Sequence, residues 1–133
     1  MFRIKYSREI TLKLLYQIDL MDLFKLDVED IFANNAFFFK GVNDLEKNFI
    51  MTLLNIIKDD RENIDTLISK NLRGWKLERL NPIDRNLLRI GIAESKVNDK
   101  KIVIIDDLVR IAKKYGSEDS YKIVNALLDS VIK

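Results

Sequence analysis

The sequence predicts an all-α fold, and three observations carry the prediction. Apolar residues recur at three- and four-residue spacing rather than alternating. Only four glycines and one proline interrupt 133 residues. Hydroxyl, acid or amide side chains stand where helices would start, and Gly41 and Gly116 stand where helices would stop.

Taken in order, Ser7 is the expected N-cap of a first helix, with Glu9 in its first turn and Ile10, Leu14, Ile18 and Met21 on the inward stripe. Asp27 or Asp30 starts a second helix that carries Ile31 and the Phe37-Phe38-Phe39 cluster and is closed by Gly41 after Lys40. A third begins at Asn43 or Asp44. Phe49, Leu53, Ile56 and Ile57 line its first half, and Ile64, Leu67 and Ile68 its second. The polar run Lys58–Asn63 between these halves predicts a subdomain seam, near residues 58–74 of a single domain spanning 1–133.

Asn81-Pro82 is the clearest start signal: a capping amide, a proline at the first helical position, and Asp84 facing the positive end of the helix dipole. Ile83, Leu87 and Ile90 follow as its inward stripe. Asn98-Asp99 reads as a turn before a helix in which Ile104, Leu108, Ile111 and Tyr115 share a broad face with Ile105, Val109 and Ala112. Gly116 ends it. Ser117 is the expected cap of the last helix, with Glu118 and Asp119 in the first turn and Ile123, Val124, Leu127, Leu128, Val131 and Ile132 as its stripe. Short connections after residue 73 predict a compact bundle of two packed halves.

The composition narrows the chemistry. A chain of this size buries roughly 68% of its unfolded surface, enough for a core without staples. With no His and no Cys, disulfides, zinc sites of soft ligands, cysteine nucleophiles and histidine general bases are excluded. The two dense acidic clusters, Asp59-Asp60-Arg61-Glu62 and Asp106-Asp107, place neighbouring carboxylates about 100° apart on a helix, which suits solvated faces better than a metal. The glycines are isolated, so no phosphate-cradling loop is present. Neither an enzymatic activity nor a cofactor is expected. The first residues carry charges inside their apolar stretch, and no run approaches the roughly 18 to 20 uncharged apolar residues of a membrane span. A soluble, cytoplasmic protein with no membrane partner is the expectation.

The net charge of +2 hides a segregated pattern. Residues 1–18 hold four bases and one acid, residues 19–65 five bases and eleven acids, residues 66–101 nine bases and four acids, and residues 102–133 five of each. The plain reading is solvated faces. The sharper one is a basic surface for a polyanion and an acidic surface for something else. Arg3, Lys5 and Arg8 at the start of the first helix, with Tyr16 two turns beyond, form the mixture of phosphate-neutralising bases and a stacking ring that single-stranded RNA binding uses. Tyr16 as a core-edge aromatic is the alternative. Arg85 and Arg89, four apart on one face, repel slightly unless they meet acids of the chain's own middle or an external anion.

Three blocks resemble the NusB family of transcription antitermination factors. They are Ser7-Arg8-Glu9 through Leu15-Tyr16, Trp75 through Glu94, and the run Ile105 through Gly116 continued by Ser120 and Val124 through Asp129. Residues 21–70 resemble it in helical pattern only. The chain departs from the family's pattern in a leader with fewer arginines and at Ala93-Glu94-Ser95, Asp106-Asp107, Ile123 and Ala126.

The resemblance implies an all-helical fold of two small bundles. It implies pairing with NusE, a small-subunit ribosomal protein, and binding of a boxA-type RNA of ribosomal RNA operons. The pair would join an RNA polymerase elongation complex that resists termination. Matched by motif, Arg3, Lys5, Arg8, Tyr16 and Asp119 are the RNA-side candidates, and Asp84, Arg85 and Ile123 are candidates for the protein partner. A homodimer of the free protein stays open. So do two other readings: a helical protein-interaction module whose RNA role is vestigial, and a stand-alone RNA-recognition domain of the same fold.

Overall fold

A computed structural model describes residues 1–74 and 76–133; Trp75, which opens the second matching block, lies outside them. Among the described residues there are seven α-helices: α1 Ile4–Leu20, α2 Val28–Asn34, α3 Asp44–Asp59, α4 Arg61–Lys70, α5 Pro82–Ser95, α6 Lys101–Tyr115 and α7 Ser120–Val131. Short 3-10 turns at Ala36–Phe39 and Leu77–Arg79 supplement them. None of the described helices is long and apolar enough to cross a membrane.

The start of α1 corrects the sequence expectation. Ser7 lies inside the helix, its hydroxyl donating to the carbonyl of Arg3 at 2.8 Å. The helix begins four residues earlier, with Arg3 rather than Ser7 at the N-cap position, because Arg3 is anchored to a distant carboxylate. Its backbone N–H donates to Glu46 Oε2 at 2.7 Å, and its Nε and Nη2 reach the two carboxylate oxygens at 2.8 and 3.0 Å. Asn43 adds a hydrogen bond to the Met1 carbonyl. Glu46 also completes a capping box with Asn43 at the head of α3.

The Arg3 guanidinium and the Asn43 and Arg3 backbone amides hold the Glu46 carboxyl down to about 2. A depressed carboxyl stabilises the fold above its ordinary pKa and loses that contribution as pH falls toward the depressed value. Between about pH 4.5 and 2, the wild type is therefore expected to lose stability that Glu46→Gln never had. Acid-unfolding curves of the two proteins check this.

Three further boundaries moved. The expected third helix breaks at Asp60 into α3 and α4, within the predicted polar run. The aromatic cluster forms the 3-10 turn instead of continuing α2, and Gly41 ends it with φ +78. At α7 the N-cap is Asp119, and the Ser120 hydroxyl accepts the Ser117 N–H at 2.8 Å, reversing the capping role expected of Ser117. Asn81 performs as predicted, its side chain accepting from the Ile83 N–H at 2.8 Å ahead of Pro82.

α5 is the centre of the molecule, packed against α1, α3, α4, α6 and α7. Every residue from Asn86 to Glu94 is buried, so this stretch of α5 has no solvent face, and its polar positions must find partners inside. The core is one cluster running from Ile10 of α1 through Leu53 of α3, Leu87 and Ile90 of α5 and Leu108 of α6 to Leu128 of α7. Each such side chain stabilises by about 1.5 to 3 kcal/mol through burial.

Gly91 lets α5 approach its neighbours. A Cβ there would stand 2.7 Å from the Leu128 methyls and 3.0 Å from Leu108 Cδ1. Alanine gains up to about 1 kcal/mol of helix propensity but overpacks a filled core, at about 1 to 3 kcal/mol. Gly91→Ala is expected to be net destabilising by about 1 kcal/mol in urea unfolding.

Candidate nucleic-acid interface

Most of the charges flagged in the sequence are engaged inside the fold. The Arg8 side chain is 1% exposed. Its Nε and Nη2 make a bidentate pair with Glu94 at 2.8 and 2.6 Å, and its Nη1 reaches Asp107 Oδ2 at 2.9 Å. It joins α1 to α5 and α6 and touches no solvent, so its expected contact with a phosphate gives way to a structural role.

A second network surrounds Arg89. Asp65 accepts from its Nε and Nη2 at 2.8 and 2.9 Å, and Asp19 Oδ2 accepts from Arg89 Nη1, Arg85 Nε and Asn86 Nδ2 at 3.0, 2.5 and 2.9 Å. Burial pushes the Asp19 carboxyl up, but the Arg85 hydrogen bond and the Arg89 charge outweigh it and leave the carboxyl below its usual value. The Arg85–Arg89 pair thus meets acids of the chain's own middle segment, and Arg85 is committed within the fold rather than offered to a partner. Asp84 is likewise internal, 2% exposed with Oδ1 unpartnered. Burial pushes its carboxyl up, with the Ser120 side chain pulling the other way.

The segregated charge therefore folds back on itself. Of the eleven acids in residues 19–65, Asp19, Glu46, Asp60 and Asp65 pair with bases of the flanking segments: Arg85 and Arg89, Arg3, Lys96, and Arg89 respectively.

What remains at the surface is narrower and better defined. Lys5, Glu9, Lys13 and Tyr16 follow each other along one face of α1 over about 16 Å. Glu9 ties that face to the end of α6: its carboxylate accepts from Arg110 Nη1 at 3.1 Å, Lys114 Nζ at 2.8 Å and the Tyr115 hydroxyl at 2.9 Å. Burial pushes Glu9 up, and these donors bring it below its usual value. Tyr16 and Tyr115, 39% and 37% exposed, then flank a hollow of about 410 Å³ lined also by Leu12, Lys13, Phe38 and Ile83.

Lysines cluster on the rings. Lys13 and Lys114 lie 5.9 and 5.1 Å from the Tyr115 centroid, and Lys113 lies 5.0 Å from that of Tyr121 at the start of α7. Exposed aromatic faces among lysines suit unstacked bases and a phosphate chain.

Of the predicted RNA-side residues, Lys5 and Tyr16 sit on this face, and Asp119 is exposed at the nearby start of α7, 3.7 Å from Lys122. Arg3 is exposed over Tyr6, 4.4 Å from its centroid, but tethered to Glu46. Ile123 is half-buried on the first turns of α7. Lys13, Lys113, Lys114, Tyr115 and Tyr121, which the structure brings to this face and the adjoining start of α7, were not among the predicted site residues. Tyr115 falls on the apolar stripe of α6 and reads as core, and the signal against that was its place directly after two lysines.

A family model described as the NusB family matches residues 5–133. The transcription antitermination protein NusB of Borreliella burgdorferi is 35% identical over 129 residues, covering 95% of this chain and 91% of that protein. NusB of Acetivibrio thermocellus is 32% identical, covering 96% and 86%. Among solved structures, T. maritima NusB superimposes with a TM-score of 0.85 at 31% identity, over 99% of this chain and 92% of that one. A chain from a complex of the antitermination factors NusB and NusE with double-stranded RNA superimposes with a TM-score of 0.81 at 26% identity, over 96% and 94%.

Proposed function

The chain belongs to the NusB family, and from that membership we propose that it is a transcription antitermination factor that binds boxA-type RNA of ribosomal RNA operons together with NusE. The pair helps an RNA polymerase elongation complex resist termination. The likeness to a chain from a complex of NusB and NusE with double-stranded RNA supports the choice of partners. The observation in this chain that carries the RNA reading is the hollow between Tyr16 and Tyr115 with lysines on its rim. Lys5, Lys13, Tyr16, Tyr115 and the α7 start around Asp119 form the RNA face, with Arg3 at its edge. The partner-facing role falls to the exposed part of Ile123.

Residues 1–133 act as one RNA-binding domain in the cytoplasm, with a seam near 58–74. The protein works by assembly, without a reaction of its own.

A second reading, a protein-interaction module with vestigial RNA binding, is favoured by one observation: Arg8 is buried and Arg3 is tethered, so among the described residues the leader keeps Lys5 as its free cation. Titrating a boxA-type RNA into the protein with and without NusE separates the two. Binding that tightens with NusE supports the antitermination reading. NusE binding with no RNA affinity at low salt supports the module and rejects the RNA face.

A further inference from the structure

Among the described residues, one run of bases makes no ion pair within the fold. Lys70, Arg73, Lys76 and Arg79 follow at three-residue intervals through the connection from α4 to α5, all exposed, with Glu78 as the only acid among them. Among the described residues none of the four lies within ion-pair distance of a carboxylate, in contrast to Arg85 and Arg89 just beyond. A net +3 held within ten residues repels itself and creates a local positive potential.

The segment is also tethered. Leu77 and Leu80 are buried and Leu72 half-buried, so the apolar positions point inward while the bases point outward. Arg85 Nη1 donates to the carbonyls of Glu78 and Leu80 at 3.4 and 3.3 Å, and the Arg79 N–H donates to the Lys76 carbonyl at 3.0 Å.

Its position follows from the pairing. Asp60 of the α3–α4 junction pairs with Lys96, and Asp65 pairs with Arg89, so α4 runs antiparallel to α5. Lys70 therefore arrives at the N-terminal end of α5, where Ile83 borders the Tyr16–Tyr115 hollow.

We propose that Lys70, Arg73, Lys76 and Arg79 form a basic ridge that holds the phosphates of RNA flanking the segment bound at the tyrosine hollow. The ridge extends the interface around the start of α5. It rests on the RNA reading above and deepens it: the ligand is a strand longer than the hollow accommodates, and the added contacts are to backbone rather than bases.

The test uses the full chain, a short boxA-type RNA, and the same RNA extended at both ends. One variant carries Gln at Lys70, Arg73, Lys76 and Arg79. A control carries Gln at Lys25, Lys40, Lys47 and Lys100, which are exposed and make no ion pair among the described residues and change the net charge equally. Thermal unfolding confirms that both fold.

The wild type is expected to bind the extended RNA more tightly than the short one. The ridge variant should lose that gain, with its log–log salt slope on the extended RNA flatter by about 2 to 3, at about 0.7 per phosphate contact. Its affinity for the short RNA and all binding by the control should be unchanged. An extended RNA that binds no tighter than the short one overturns the ridge and leaves the RNA reading standing, as does a control variant that loses as much as the ridge variant. Failure of the wild type to bind either RNA overturns both. Binding of the extended RNA alone, abolished in the ridge variant, supports the ridge and rejects the hollow.

Discussion

Arg8→Ala is expected to destabilise the protein by about 3 to 5 kcal/mol, the cost of leaving the buried Glu94 carboxylate without its counter-ion. Glu94 and Asp107 are almost fully buried and share this one guanidinium across three hydrogen bonds. Arg110 Nε still pairs with Asp107 at 2.6 Å, but the other partner of Glu94 is the neutral Asn98 amide at 3.0 Å, so Glu94 is the carboxylate left without a cation. Losing about 4 kcal/mol from a domain whose total stability is about 5 to 15 kcal/mol brings it close to unfolding. Urea denaturation measures the loss, and a cost under about 1 kcal/mol would mean that water or Arg110 neutralises the pocket. The uncharged triple variant Arg8→Met, Glu94→Gln, Asp107→Asn should recover part of the loss, because no unpaired buried charge remains in the pocket, although the two amides still need hydrogen-bond partners. The deficit of Arg8→Ala in RNA binding should vanish at temperatures where the variant is fully folded. A deficit that persists there would restore Arg8 to the RNA site.

Tyr16→Ala and Tyr115→Ala should each weaken RNA binding by about 1 to 3 kcal/mol, roughly 5- to 150-fold, the usual cost of removing a base-stacking ring. Both rings are more than a third exposed, so their removal should leave the unfolding midpoint nearly unchanged. Phenylalanine keeps the stacking face, and Tyr16→Phe should bind like the wild type. Tyr115→Phe also breaks the hydrogen bond to Glu9, and a small loss there would measure how far that bond orients the ring. Fluorescence anisotropy with a labelled boxA-type RNA checks the series. Equal binding by the alanine variants would empty the hollow of its proposed role.

The helical content was legible because its signals are local. Asn81-Pro82 announces α5, the Asn43 amide meets Glu46 three residues on, and Leu87 and Ile90 fall on the predicted face. The family was legible for a similar reason: its three blocks are contiguous runs of residues. Ser7 misled because a hydroxyl four residues after a carbonyl can bond back within a helix as readily as cap one. What decided between the two was Arg3, fastened to Glu46 43 residues away.

The candidate site was half legible. Lys5 and Tyr16 were singled out from residue type and spacing, and the structure exposes both on one face of α1, but Tyr115 looked like core on its own helix. Only the docking of α6 against α1 through Glu9 brings it beside Tyr16. Arg8 showed the opposite error, since a base next to Arg3 and Lys5 reads as surface until its partners are known.

The sequence by itself determined that this chain is helical, where most helices begin and end, and which family it resembles. These properties depend on residues within a turn or two of one another. Which charges are free was decided only by tertiary structure. The partners of Arg8 and Glu9 lie 86 to 106 residues away, and whether a base binds RNA or closes the core depends on which carboxylate the packing of α5 and α6 brings to it. The near-neutral total of +2 conceals internal networks around Arg8 and Arg89, and a smaller set of exposed lysines and tyrosines left to face a ligand.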